Sequence, residues 1–299
     1  MDSGVTKSQE QKSNSILEKA VEIIKRKEGK ESVAFARLLS SSAYNHYCFQ
    51  YDSGRVRDYR KATEQASQAM EILTRELGED NFLLVDPKKA LAAIKAENVR
   101  GEPSEEKKAE LHKEVEKLKR EIVEVSKEVL GEYNFQTAAM MGNLGQTYQD
   151  LGKLAEAEEM FNNSMKVRVA IQGPEDGGVA TIHNRLANLY ADDLEDFSKA
   201  EEHYLQCIKI QEKLFGPAYS QLQFSYNGLI ELYEKTGEEA KMMECKEKKR
   251  EWEKLQGEKK SKDKETEKVE DDEPEKSWVV DGEMDYTAPI VWADGTVVE

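Results

Sequence analysis

The 299-residue sequence predicts an all-α fold, a right-handed α-solenoid of helix pairs followed by a disordered C-terminal tail. Three segments, which begin at Thr137, Val179 and Ser225, repeat one pattern. Its matched leucines and tyrosines recur at steps of 42 and 43 residues: Leu144, Leu186 and Leu229, then Tyr148, Tyr190 and Tyr233. A fixed period in this range is typical of stacked supersecondary units, because one such unit cannot bury its apolar face alone.

Each unit reads as two helices of different character. In the first repeat, Leu144, Gly145 and Tyr148 share one helical face, and Gly152 interrupts the pattern. The second helix carries Ala157, Phe161 and Met165 at helical spacing. Small residues let helices approach, and the aromatic residue fills the next gap. This pattern resembles the tetratricopeptide repeat (TPR), in a form longer than 34 residues that is similar to the kinesin light chain class.

The sequence divides into an N-terminus predicted to be disordered (1–12), a repeat array (13–255) and a charged, disordered tail (256–299). The tail is predicted to be disordered because it is highly charged and poor in apolar residues. The predicted units of the array are 13–29 (partial), 32–78, 79–131 (degenerate, with a polar insert at 96–110), 132–173, 174–216 and 217–255.

Composition limits the classes of partner. The net charge of −16 disfavours nonspecific binding to nucleic acid or to anionic membranes. No apolar stretch is long enough to cross a membrane, and the N-terminus has no apolar core of a secretory signal. The three cysteines, Cys48, Cys207 and Cys245, are scattered, which favours a reducing compartment over a disulfide framework or a zinc site. We therefore expect a cytoplasmic protein that reaches microtubules or membranes only through partners.

Motifs of catalysis are missing from the sequence. It has no phosphate-binding loop, GxSxG, HExxH or CxxC, so we expect no enzymatic activity, cofactor or metal. We expect each of the four histidines, His46, His112, His183 and His203, to be an isolated helix residue without the partners that catalysis needs. The paired glutamates Glu158, Glu159, Glu201 and Glu202 recur with the repeat, which favours a solvated helix face.

Binding is the usual function of a stacked helical array, because the first helices line a concave surface. Polar residues on these helices are candidates for contact with an extended peptide, since amide side chains both donate and accept hydrogen bonds. The candidate groove residues are Asn143, Gln146, Gln149, Asn184, Asn188, Asn227, Glu231 and Glu234. The alternative is that these side chains are ordinary surface groups or form hydrogen bonds between repeats.

A closer resemblance covers residues 13–255. The stretches GEYNFQTAAMMGNLGQTYQDLGKLAEAEEM and HYCFQYDSGRVRDYRKATEQASQAMEIL are similar to the C-terminal TPR half of the amyloid protein-binding protein 2 family. The resemblance implies binding of amyloid-precursor-type cytoplasmic tails and a link to microtubule-based transport. It also implies a role as substrate receptor for C-terminal degrons in elongin–cullin ubiquitin ligases.

Two functions follow from this resemblance. The leading hypothesis is a TPR adaptor or substrate receptor that binds protein tails, and the alternative is a kinesin-light-chain-like cargo adaptor acting with kinesin in microtubule-based transport. The family's ligase-docking segment lies in its N-terminal half, outside the resemblance, so we expect peptide binding rather than ligase recruitment of this sequence. The sequence is consistent with a fragment of a longer protein, a mispredicted gene product or a shortened paralogue.

The tail contains two tryptophans near acidic residues, Trp278 in KSWVVDGE and Trp292 in IVWADG. They resemble the tryptophan-acidic peptides that kinesin light chain grooves bind. One hypothesis is that the tethered tail competes with ligands for the groove at a high effective concentration. The alternatives are an unstructured end or a motif for another protein.

Overall fold

The computed structural model describes the backbone of residues 3–52, 58–271, 290–291 and 297–298, and the side chains of 15–48 and 58–258. Its helices are α1 (Ser3–Lys27), α2 (Val33–Asp52), α3 (Arg60–Leu77), α4 (Val85–Gly101), α5 (Glu105–Leu130), α6 (Phe135–Asp150), α7 (Leu154–Gln172), α8 (Gly177–Asn188), α9 (Phe197–Phe215), α10 (Leu222–Thr236) and α11 (Glu239–Asp271). A 3-10 turn covers Phe82–Leu84, and a π-helical turn covers Leu189–Asp193.

The helices pack in pairs along the chain. Helices α2 and α3, α4 and α5, α6 and α7, and α8 and α9 make the most extensive contacts, and each second helix also packs against the first helix of the next pair. This arrangement confirms the predicted all-α array of repeated helix pairs. Residues 1–252 and 253–299 form separate compact units. In the second unit, β1 (Ile290–Val291) and β2 (Val297–Val298) pair antiparallel.

Four second helices end on glycines with nearly the same backbone conformation. Gly78, Gly131, Gly173 and Gly216 have φ of 81 to 89° and ψ of 161 to 170°. Each glycine N–H donates to the carbonyl oxygen four residues earlier. This backbone region is open almost only to glycine, so the sequence encodes the same joint at the end of each unit.

Counted between matched positions, the connection from Leu186 to Phe197 is one residue longer than the connection from Leu144 to Leu154. The π-helical turn at Leu189–Asp193 absorbs this residue, and Glu195 adopts a positive φ of 53° where glycine stands in the loop of the preceding unit. The insertion explains why the repeat step lengthens from 42 to 43 residues after Leu186.

Helix extends further than the composition predicted. Helix α1 begins at Ser3, within the segment 1–12 that was expected to be disordered, and α11 continues to Asp271 in the predicted tail. Most of the insert at 96–110 is also helical, since α4 ends at Gly101 and α5 begins at Glu105. The physical reason is that Glu, Lys and Gln have good helix propensity although they bury little surface. Trp278 and Trp292 lie outside the described residues.

Candidate functional site

The eight candidate groove residues lie on the first helices α6, α8 and α10. All eight side chains are partly or fully exposed, whereas the repeat leucines between them, Leu144, Leu186 and Leu229, are buried. The three helices therefore present polar groups, some at matched positions such as Gln146, Asn188 and Glu231, while the buried leucines hold the core together.

Three of the candidate amides bond to the next unit. Asn143 Oδ1 accepts from Arg185 Nη2 at 3.2 Å, and Gln149 Nε2 donates to Asp193 Oδ2 at 2.6 Å. The Ser225 hydroxyl donates to Asn184 Oδ1 at 3.1 Å. The alternative of hydrogen bonds between repeats is thus present in the structure for these side chains.

The remaining candidates have local partners or none. Gln146 Nε2 donates to Asp150 Oδ1 of the same helix at 3.1 Å, and Asn188 Oδ1 accepts from the Tyr204 hydroxyl at 2.7 Å. Glu234 pairs with Lys246 at 2.8 Å. Within the part of the chain that the structure describes, Asn227 and Glu231 form no hydrogen bond or ion pair.

Two cations that the sequence did not single out converge on Asn143. Lys119 Nζ, on α5, donates to the Asn143 carbonyl at 3.3 Å and to the Thr147 hydroxyl at 2.6 Å. The Arg185 guanidinium donates to the Gly142 carbonyl and to the Asn143 side chain. Burial lowers the pKa of Lys119 to about 8, nearby Asp150 opposes this shift, and Arg185 adds to it. Burial also lowers the pKa of Arg185.

Two of the four histidines are paired, which corrects the expectation that each is isolated. His183 Nδ1 and His203 Nδ1 are 2.8 Å apart, and the His203 ring stacks on Tyr190 at 5.5 Å between centroids. Burial, together with the neighbouring His203, lowers the pKa of His183 to about 4. Burial likewise lowers the pKa of His203. One Nδ1 of the close pair must donate and the other must accept, so the accepting ring is neutral, and protonation of both rings would break the contact.

A tyrosine, a glutamate and a lysine meet at each boundary between the regular units. The Tyr233 hydroxyl donates to Glu201 Oε1 at 2.7 Å, Lys241 bonds the same carboxylate at 2.9 Å, and its ammonium lies 5.4 Å from the Tyr233 ring centroid. At the two earlier boundaries part of this set is kept. The Tyr190 hydroxyl bonds Glu158 and the Lys199 ammonium lies 4.7 Å from the Tyr190 ring centroid, while Lys153 bonds Glu116 at 2.7 Å and lies 5.6 Å from the Tyr148 ring centroid. Each glutamate comes from the second helix of the preceding unit.

The sequence analysis expected the paired glutamates to lie on a solvated helix face, and for two of the four these contacts show otherwise. Glu158 and Glu201 are partly buried and accept hydrogen bonds from the next unit, whereas Glu159 and Glu202 are exposed. A signal in the sequence could have separated them. Glu116, Glu158 and Glu201 recur at the same steps of 42 and 43 residues as the repeat leucines.

Neither metal binding nor membrane insertion gains support from the described residues. No group of three or more metal-ligating side chains is found among them. None of the helices there combines the length and hydropathy of a membrane span.

The helix pairs and their repeated packing positions define a TPR solenoid. The tetratricopeptide repeat family model matches residues 107–168 and 136–213. Solved structures with the same fold include BtubC (BKLC) from P. vanneervenii, at a TM-score of 0.64 and 20% identity, covering 84% of this chain and 92% of that chain. A kinesin light chain-type protein from Podosopora anserina with nearly identical TPR-like repeats has a TM-score of 0.57 and 19% identity, covering 73% and 96%.

The particular similarity is to amyloid protein-binding protein 2. The protein of that name from Mus musculus is 33% identical over 229 residues, or 77% of this chain, and the Rattus norvegicus protein is 34% identical over the same length. The chain spans 39% of the length of these curated relatives. The resemblance that the sequence predicted is thereby confirmed, together with kinesin-light-chain-like TPR structure.

Proposed function

We propose that this TPR module is a non-enzymatic adaptor or substrate receptor that binds extended protein segments along the candidate groove. The carrying observation is the row of exposed polar side chains on three consecutive first helices. Such a row offers hydrogen-bonding groups at the interval of the repeat, which suits a ligand that runs across several units.

The internal bonds of the amides leave hydrogen-bond donors available to a ligand. Asn143, Asn184 and Asn188 use their side-chain oxygens as acceptors toward Arg185, Ser225 and Tyr204. These bonds fix the orientation of each amide. The Nδ2 groups are then held in place to donate to the carbonyl oxygens of a bound backbone, at little further cost in side-chain entropy.

The similarity to amyloid protein-binding protein 2 supports protein tails as ligands. Amyloid-precursor-type cytoplasmic tails and C-terminal degrons are the proposed classes, with elongin and cullin subunits as the associated machinery. Because the chain spans 39% of those relatives, ligase recruitment is a separate question from ligand binding. Kinesin binding is the alternative function.

Affinity purification of the full chain from cells, followed by mass spectrometry, tests the proposal. We expect membrane-protein tails or proteins with exposed C-termini to be retained. Recovery of elongin and cullin subunits would add ligase recruitment, whereas recovery of kinesin heavy chain would favour the transport adaptor. Retention of no specific protein would contradict both.

A matched pair of substitutions tests the location of the groove. Asn227 on α10 and Asn162 on α7 are both exposed asparagines, but only Asn227 belongs to the candidate groove. Asn227→Ala should weaken binding of a retained peptide by about 1 kcal/mol, or roughly five-fold, through loss of one hydrogen bond. Asn162→Ala should leave the Kd unchanged, and equal effects of the two would place the ligand elsewhere.

A further inference from the structure

A cleft of about 690 Å³ lies between α3 and α5, and α4 forms its floor. Five apolar side chains line it: Met70, Leu84, Leu91, Leu118 and Val125. Of these, Met70 and Leu118 are partly exposed where they pack against buried clusters of the array. The cleft, which we call the α3–α5 cleft, therefore presents apolar surface to solvent between two second helices.

The α3–α5 cleft is separate from the candidate groove. The groove residues lie on α6, α8 and α10, whereas the cleft is lined by α3, α4, α5 and the segment 79–84. On α4, Asp86 and Lys89 line a different pocket together with residues of α1 and α2, while Leu91 and Lys95 line the cleft. A ligand in the cleft thus occupies a different surface from the candidate groove.

The rim of the cleft is acidic. Six carboxylates and three lysines line it, which leaves three negative charges: Glu79, Asp80, Glu114, Glu121, Glu124 and Glu128 against Lys88, Lys95 and Lys117. Lys88 already lies 2.9 Å from Glu121, and Lys95 lies 2.5 Å from Glu114. Within the described side chains at 15–48 and 58–258, Glu79, Asp80 and Glu128 form no ion pair. The excess of negative charge suits a cationic partner.

The repeat itself does not require this acidic character. The matched residues of the next two units, at steps of 42 and 43, are neutral or basic: Lys166 and Lys209 for Glu124, and Ala170 and Lys213 for Glu128. All six positions are exposed, so packing does not choose the charge there. The carboxylates therefore belong to this cleft rather than to the fold.

The shape of the cleft favours a helix over an extended segment. A strand laid on the apolar floor would leave backbone polar groups without partners, whereas a helix satisfies its own. Side chains of such a helix can pack between those of two neighbouring helices. The lining residues of α5 run from Glu114 to Glu128, which is about 21 Å at about 1.5 Å per residue, or about four helical turns.

We propose that the α3–α5 cleft docks a basic amphipathic helix of a protein partner. Apolar side chains on one face of that helix pack on Met70 and Leu118. Lysines or arginines beside this face pair with Glu79, Asp80 and Glu128. This is the helix-in-groove mode of recognition, with anchors at helical spacing. The inference goes beyond the proposed function, since it adds a second surface with a different kind of ligand.

The test is a titration of the full chain, labelled with ¹³C at the methionine methyl groups, with a synthetic peptide of about 14 leucines and lysines. In this probe the leucines occupy one helical face and the lysines the rest. We expect a saturable shift of the Met70 resonance, assigned from its loss in Met70→Leu. The Met243 resonance should stay unchanged, because this exposed residue lies on α11, outside the cleft.

A second peptide of the same composition separates shape from charge. Its leucines are spread around the helix, so that it carries the same charge without an apolar face. It should bind about ten-fold more weakly, because it cannot bury its leucines against the floor of the cleft.

A matched pair of charge reversals tests the acidic rim. Glu124→Lys combined with Glu128→Lys should weaken binding of the first peptide about ten-fold, because two carboxylates of the cleft become cations. Glu247→Lys combined with Glu251→Lys makes the same change at the same spacing on the exposed face of α11. This control should change the Kd by less than about two-fold.

Three outcomes would overturn the proposal: no saturable shift of Met70, equal affinities of the two peptides, or equal effects of the two charge reversals. A shift of Met243 as large as that of Met70 would also overturn it, since it would show attraction to the whole acidic surface. The two peptide titrations of the wild-type chain decide the matter even where a variant folds poorly.

Discussion

The units up to residue 131 and those from 132 to 252 bury their apolar residues differently. In the later units, 18 buried residues from Ala157 to Trp252 form one continuous cluster. Among the described side chains of the earlier units, at 15–48 and 58–131, the largest cluster has seven buried residues, and smaller clusters accompany it. The aromatic position of the second helix accounts for much of this contrast. It holds Phe161 and Tyr204 in the later units, but Ala66 and Lys119 in the earlier ones.

The comparison shows that two features of the repeat, the glycine joint and the apolar core, depend on the sequence to different degrees. The backbone joint needs only a glycine and recurs at the ends of α3, α5, α7 and α9, in earlier and later units alike. The continuous core needs large, small and aromatic residues together. It gives way to smaller clusters where Ala66 and Lys119 stand at the aromatic position. Four predictions test this contrast, beginning with the largest expected effect.

Replacing an aromatic residue in each region should affect stability differently. Phe161→Ala should lower the free energy of unfolding by about 3–5 kcal/mol, because the side chain is fully buried in the continuous cluster. Phe35→Ala, in the cluster of seven, should cost less, at the lower end of that range or below. Urea unfolding measures both losses.

Hydrogen exchange should locate the damage. Phe161→Ala should raise exchange throughout 132–252, and Phe35→Ala only in the first units, since nearest-neighbour packing carries stability in repeat arrays. Equal losses with the same regions opened would contradict the contrast.

Two helical glycines should respond in opposite directions to alanine. A Cβ at Gly228 would lie 2.3 Å from Tyr204 Cζ, so Gly228→Ala should destabilise by about 1–3 kcal/mol through overpacking. A Cβ at Gly101 would meet nothing within 4 Å. Gly101→Ala should be neutral or stabilising by up to about 1 kcal/mol, because alanine has the higher helix propensity. Thermal unfolding of both variants measures the two changes in stability. An unchanged stability of Gly228→Ala would contradict the prediction.

An apolar residue in place of Lys119, at the aromatic position of the second helix, should increase stability. Lys119→Met should raise the free energy of unfolding by about 1 kcal/mol, since it removes an uncompensated buried charge. The matched control is Lys153→Met, which breaks the ion pair with Glu116 and should not stabilise. A clear loss of stability in Lys119→Met would show that the lysine serves the fold itself.

The histidine pair should make the later units sensitive to acid. The pKa of His183 falls from 6.5 to about 4 on folding, so the unfolded state binds more protons between these values. The contribution of His183 to stability should therefore be constant above about pH 6.5 and decline as the pH falls toward 4.

Urea unfolding at pH 7.5 and pH 5 measures this decline. In the double variant His183→Gln and His203→Gln, the loss between the two pH values should be smaller than in the wild type. The same loss in both proteins would exclude the histidine pair as the cause.

Sequence reasoning predicted the helix pairs because their packing positions are local and periodic. Leu144, Gly145 and Phe161 mark buried positions by spacing alone, and the structure buries all three. The partners of polar groups depend on the rotation between units, which the spacing does not specify. The contacts of Asn143 with Arg185 and of His183 with His203 therefore could not be predicted. The Glu158 and Glu201 contacts were predictable in principle, since these residues follow the repeat.

The shared glycine conformation at the end of each second helix has a consequence for the evolution of the array. Because Gly78, Gly131, Gly173 and Gly216 turn the chain in nearly the same way, one unit can be duplicated or deleted between two such joints without any new backbone geometry. Point mutation is far less free there, since any side chain would meet the forbidden positive φ. The array is thus able to change its length by whole units while its glycines stay fixed.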